Sequence, residues 1–255
     1  MAMHNREVLW WELHKRRLQL QAQYCQLQMH TVAYFDIGKI SYVLSTLQQN
    51  IDMSDCAIKI LVSEEDVIFL PRNMPQYTPA GISYAVCVRN QTPQMPYSVK
   101  FSERSMWDME KAKHGVSILL FVDENNHYLE FSDGSVFVYR AGIFYTPPLS
   151  MEILPSITRH VLLELSKNKI FPFVIREKVI EREEGDILFF ASALRGLVPV
   201  DPQYIDLAHF AAIELWTMAK AHGYVDDYHM QRTFAQQIEM VLDVGEDTGC
   251  VESRA

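Results

Sequence analysis

The chain has 255 residues, 49% of them hydrophobic, and 23 Lys and Arg against 32 Asp and Glu give a formal net charge of −9. That length holds one large domain or two modest ones, each able to bury a core; the acidic balance, with no block of like charge, argues against a duplex nucleic-acid or anionic-membrane partner, which needs a clustered basic face. No apolar run approaches the ~20 residues that span a bilayer, and MAMHNREVLWW lacks the cationic, apolar and small-residue succession of a secretory signal, so a cytoplasmic protein is expected.

Residues 6–29 contain no Gly or Pro, and Leu13, Leu18, Leu20, Tyr24 and Leu27 form a helical stripe. A helix is predicted there, preceded by a short strand at Val8–Trp11. A second helical pattern follows Asp36, and then come three β-rich runs, CAIKILV at 56–62, DVIFLP at 66–71 and ISYAVCV at 82–88. Residues 90–98 are polar with two prolines, the composition of a crossing linker. The expected division is therefore a small α+β lobe over 1–97 and a larger lobe over 98–255. In the second lobe a helix is predicted at 103–114, a strand at 117–123, a turn at ENNH, and a hairpin around SVFVYRAGIFYT with Ala-Gly at its bend. Pro155 is expected to open a helix running to about Leu165. Two more β-rich runs, FPFVIREKVI and DILFFASA, precede helices at 204–222 and 227–242, and the last eleven residues read as a tail.

The cysteines Cys25, Cys56, Cys87 and Cys250 form no CxxC pair, and the nine histidines show no HExxH spacing. Neither disulfides nor a metal centre is expected. Taken singly, Lys100, Glu130 and Arg17 read as a solvated lysine, a strand-end carboxylate and a helix arginine whose stem lies along the surface.

Their order and spacing change that reading. Asp123, Glu130, Val136-Phe137, Thr146-Pro147-Pro148-Leu149 and Leu154-Pro155-Ser156-Ile157-Thr158-Arg159 closely resemble the signature of the class IV pyridoxal-phosphate enzymes, which include branched-chain and D-amino-acid aminotransferases and 4-amino-4-deoxychorismate lyase. Lys100, followed four positions on by Arg104, looks like the family's Schiff-base lysine. His14-Lys-Arg-Arg17-Leu18 resembles its phosphate-gripping motif, and 181–200 is similar to the segment closing the phosphate cup. The resemblance covers roughly residues 12–200. It implies a mixed α+β, two-lobed protein of fold type IV, with a β-barrel-like larger lobe and pyridoxal 5'-phosphate held between the lobes. A small amino compound would be the substrate, and a homodimer is implied because a second subunit completes the family's active site.

The resemblance also assigns roles. The cofactor supplies an electron sink, and the protein must provide a lysine, an anion at the pyridine nitrogen and cations or amides at the phosphate. Lys100 would be that lysine, with its pKa depressed by desolvation and neighbouring positive charge. Glu130 would face the ring nitrogen, and Arg17 would grip the phosphate as a planar fork. The helix opening at Ser156, Ile157 and Thr158 would present unpaired N–H groups to the same dianion, Ser192 and Ala193 would add further donors, and Arg159 would be structural or an outer contact. Departures from the family are Ser156 for its glycine, Glu103 for an asparagine, and fewer residues before His14 than is usual. The Lys100/Arg104 pair and Ser192-Ala193-Leu194 favour the lyase, which releases pyruvate and 4-aminobenzoate for folate biosynthesis, over the aminotransferases. A non-catalytic relative serving as a binding protein is the remaining alternative.

Overall fold

The computed structural model describes residues 1–5, 7–26, 46, 55–63, 67–75, 81–89, 97–102, 104–225 and 227–242. The predicted helix after Asp36, residues 27–29, Glu103, most of the Pro-rich 90–98 stretch and the final tail lie outside them. The described residues form a mixed α+β protein with three sheets.

The chain opens on a tight hairpin of β1 (Ala2–His4) and β2 (Glu7–Val8), then enters α1 (Trp11–Tyr24). The strand expected at Val8–Trp11 stops at Val8, because Trp10 turns left-handed (φ 59°) and its carbonyl accepts from His14 N–H as the first helical bond. β3 (Cys56–Val62) and β4 (Val67–Arg72) complete an antiparallel sheet in the order β2-β1-β3-β4.

β5 (Tyr84–Val88) pairs in parallel with β6 (Ile118–Val122), and the crossover this requires carries residues 97–102 and α2 (Ser105–His114). β7 (Tyr128–Phe131) returns antiparallel to β6. The register there is uneven: Leu120 faces Phe131 and Val122 faces Tyr128, so two steps on β6 oppose three on β7. The extra residue lies at Leu129–Glu130, a β-bulge.

The largest sheet has the order β10-β9-β8-β11-β12, from β8 (Ser135–Arg140), β9 (Ile143–Thr146), β10 (Val174–Glu177), β11 (Ile187–Ser192) and β12 (Gly196–Pro199). Ala141 and Gly142 make the β8–β9 bend with φ of 49° and 84°, the two positive values a two-residue hairpin turn needs. β9 and β10 are parallel, joined through α3 (Ile157–Lys167). Both faces of β8, β11 and β12 are largely buried, which explains their apolar runs. Val136, Val138, Leu188 and Phe190 pack with Ile118, Leu120, Val122, Tyr128 and Phe131 of the three-stranded sheet. Phe137, Phe144, Phe189 and Ala191 meet Val161, Leu162 and Leu165 of α3. α4 (Ala212–Ala221) and α5 (Tyr228–Leu242) add Leu215, Trp216, Phe234 and Ile238 to that second core, and α5 lies against α1 and α3.

Two predicted helix starts are corrected. The helix expected to open at Pro155 begins at Ile157, because the Ser156 hydroxyl accepts from Arg159 N–H and serves as N-cap. The helix expected over 204–222 begins at Ala212. Ahead of it Phe210 exchanges both backbone hydrogen bonds with Leu197, at 2.8 and 2.9 Å, holding the chain extended there. Gly196 makes this approach possible: it has φ 76°, and a Cβ on it would lie 2.0 Å from the Phe210 carbonyl oxygen.

Candidate active site

The site is assembled from α1, the 97–104 crossover segment, the β7 bulge and the start of α3. On α1, His14, Arg17 and Gln21 recur at spacings of three and four and are all buried, so one face of the helix is polar and turned inward. Arg17 Nη1 donates to the Pro155 carbonyl at 3.1 Å, which sets the guanidinium beside the N-terminus of α3. Its Nε is buried without a partner among the described residues, and burial lowers the group to about 10. His14 Nε2 is likewise buried and unpartnered, and burial, with Arg17 and Lys100 among the nearby cations, holds its pKa well below the ordinary value. Gln21 Nε2 donates to the Ser98 carbonyl at 2.9 Å and so pins the backbone two residues before Lys100.

Lys100 follows buried Ser98 and Val99, and its own side chain is exposed at the protein surface. Protein nevertheless surrounds the amine closely enough to strip much of its hydration. Burial, then the positive charge of Arg17 and Arg104, lowers it to about 7 against the pull of Asp133 and Glu130. Lys100 therefore combines an exposed residue with an amine drawn down to about 7. Arg104, at the N-cap of α2, donates to the Ser132 carbonyl at 3.0 Å and to Asp133 at 2.6 Å.

Glu130 sits in the β7 bulge, which breaks the alternation of the strand and re-aims one side chain. Its carboxylate is 12% exposed, accepts from Leu154 N–H at 3.1 Å and from Arg89 Nη1 at 3.4 Å. Burial raises it to about 7, opposed by Arg89, Leu154 N–H, Lys100 and Arg104. Lys100, Glu130 and Arg17 thus belong to one electrostatic group, with Ile157 and Thr158 opening the helix beside Arg17. Ser192 and Ala193 occupy the β11–β12 turn, where Ser192 Oγ accepts from Arg195 N–H. Among the described residues no hydrogen bond or ion pair ties that turn to Lys100, Glu130 or Arg17. Arg159 is fully buried, donates to the Pro147 carbonyl and pairs with Glu177, tying α3 to the chain around it.

Arg89, Gln21 and Asp133 are the residues of this group that the sequence reading passed over. Arg89 and Gln21 are buried with hydrogen-bond partners, but nothing in the mostly polar α1 or in the residues next to β5 singles them out in the sequence.

Comparison with known proteins decides the family. Residues 1–201 match the family model of the amino-transferase class IV proteins. The chain belongs to that family. A branched-chain-amino-acid aminotransferase of Escherichia coli strain K12 is 29% identical over 94 residues, 36% of this chain; the match spans 30% of that relative's length. Among solved structures, a candidate 4-amino-4-deoxychorismate lyase superposes with a TM-score of 0.65 at 19% identity, covering 81% of this chain and 85% of the other. A branched-chain amino acid aminotransferase from Thermobaculum terrenum, solved in its PLP-form, superposes at 0.58 with 17% identity, covering 91% and 85%. The fold is therefore that of the class IV enzymes, and the family's cofactor is pyridoxal 5'-phosphate. Among the described residues no helix is long and apolar enough to cross a membrane.

The residues present fit that cofactor. A desolvated guanidinium with an unpaired buried Nε, next to the free N–H groups of a helix N-terminus, is an unfavourable arrangement until an anion joins it. A carboxylate and a near-neutral amine complete the donor set for a phosphorylated pyridine aldehyde.

Proposed function

We propose that this chain is a pyridoxal-phosphate-dependent enzyme acting on a small amino compound, with 4-amino-4-deoxychorismate lyase the favoured activity and release of pyruvate and 4-aminobenzoate by C–O elimination as its outcome. The observation that carries the reading is the grouping of an amine lowered to about 7 with Glu130, Arg17 and Arg104 around the start of α3. Bound there, the cofactor supplies an aldehyde for condensation with amines and a ring that accepts electron density from a neighbouring carbon. Lys100 is the amine that carries it and then moves the substrate α-proton, which its position near neutrality allows in both directions. Glu130 holds a proton at the pyridine nitrogen. Arg17 and the Ile157 and Thr158 N–H groups bind the phosphate, with the Ser156 hydroxyl turned to Arg159 N–H as cap and its own proton free for a phosphate oxygen. Ser192 and Ala193 close the far side of the phosphate in this reading.

The lyase is favoured over transamination because Arg104 adjoins Lys100 electrostatically, as the Lys-x-x-x-Arg resemblance anticipates, and is held there by Asp133. Transamination is the second reading, supported by the curated relatives' names. Lobes 1–97 and 98–255 enclose the site in this proposal, and two chains associate, so that light scattering should return twice the 29.6 kDa chain mass. The deciding experiment incubates loaded protein with 4-amino-4-deoxychorismate, and separately with amino acids and 2-oxoglutarate. Release of 4-aminobenzoate supports the lyase, glutamate formation supports the aminotransferase, and neither product sinks both.

A further inference from the structure

Arg89 follows directly on β5, and its side chain is 7% exposed. One end of its guanidinium reaches Glu130 Oε1 at 3.4 Å, the other donates to the Met151 carbonyl at 2.8 Å, and its plane lies 4.0 Å over the Tyr97 ring. The second Glu130 oxygen accepts from Leu154 N–H. Met151 and Leu154 belong to one stretch of chain, the one that leads into α3 and the phosphate end of the site. A bulged residue has no ladder to fix its direction, so the orientation of this carboxylate depends on these two donors.

We propose that Arg89 is a positioning residue: it clamps the Glu130 carboxylate to the 151–154 segment and thereby sets the distance between the group at the pyridine nitrogen and the group at the phosphate. The inference rests on the reading that Glu130 meets that nitrogen. The other charged or titratable groups acting on Glu130 or acted on by it are Lys100, Arg104, Arg159 and Tyr97. The geometry gives Arg89 a hydrogen bond to one carboxylate oxygen and Leu154 N–H a bond to the other. Lysine replaces the clamp only in part, since it keeps the charge but, as a point charge on a flexible stem, does not span two acceptors in fixed directions.

The test is a double-mutant cycle read as the dissociation constant of added pyridoxal phosphate, followed by its absorbance on the protein. In the presence of Glu130, Arg89→Met should weaken uptake about tenfold or more, the scale of truncating one partner of a buried charge pair, and Arg89→Lys should recover part of the loss. In an E130Q background Arg89→Met should change uptake less than about twofold, because the partner it acts through is neutral and already altered. Equal losses in both backgrounds would assign Arg89 a merely structural role and overturn the proposal, as would no loss in either. If R89M does not fold, R89K carries the same cycle. Wild-type protein that takes up no pyridoxal phosphate overturns the functional reading and this inference with it, whereas uptake with additive effects overturns this inference alone.

Discussion

An ordinary lysine, titrating near ~10.4, is almost wholly protonated at neutral pH and a poor nucleophile. At about 7, Lys100 is half free. The rate of pyridoxal-phosphate uptake should therefore rise with pH through a midpoint near 7, and stopped-flow absorbance across that range checks it. Lys100→Ala should show no protein-bound band at any pH. Arg17 is one of the cations that depress the amine, so Arg17→Ala should move the midpoint upward while weakening phosphate binding by ~10- to 100-fold, the scale of a lost charged hydrogen bond. A midpoint that stays at 7 in this variant would show that Arg17 contributes nothing to the shift, leaving it to burial and Arg104. At this scale a motif with fixed spacing singled out Lys100, Glu130 and Arg17, which the fold brings into one electrostatic group. The sequence was silent at Arg89, whose partner Met151 is 62 positions away in the chain.

In the proposed function α3 positions the phosphate, and the start of this helix is set by one hydroxyl. Ser156→Ala should cost about 1 kcal/mol of stability by removing the N-cap, and Ser156→Gly only a few tenths, measured by urea melts; no loss in Ser156→Ala would show that the Arg159 bond contributes nothing. Gly196 is a harsher position. Gly196→Ala places a methyl against the Phe210 carbonyl in a left-handed conformation, so a loss of at least ~2 kcal/mol is expected, with the Leu197–Phe210 pairing broken. Strands were legible from composition because both faces of β8, β11 and β12 are largely buried, and CAIKILV reads directly as β3. Helix starts were not, since both corrections trace to interactions with residues distant in sequence or to a cap: Ser156 ends the extended approach to α3, and Leu197 keeps Phe210 out of α4. The β7 bulge was equally invisible, because an extra residue shows only when its partner strand is known.

Across the whole molecule, two opposed shifts at one site make folding sensitive to pH in a characteristic way. Between the ordinary carboxylate range and about 7, native Glu130 holds a proton that the unfolded chain has released, so stability falls as pH rises. Between about 7 and the ordinary lysine range, the unfolded chain holds a proton that native Lys100 has released, so stability rises with pH. The contributions of the two groups therefore combine to a minimum near pH 7 in protein without cofactor. A K100M/E130Q variant removes both linkages, and the wild-type melting temperature minus that of the variant, followed from about pH 5 to pH 9, should pass through its lowest value near 7. A saturating cofactor binds only the native state and adds roughly 2.7 kcal/mol at a hundredfold excess over its dissociation constant. Added pyridoxal phosphate should consequently raise the wild-type melting temperature, and that of K100M/E130Q far less. A difference curve that is flat with pH would mean that the amine and the carboxylate titrate as they do in free peptides, and would remove the electrostatic basis for assigning this site.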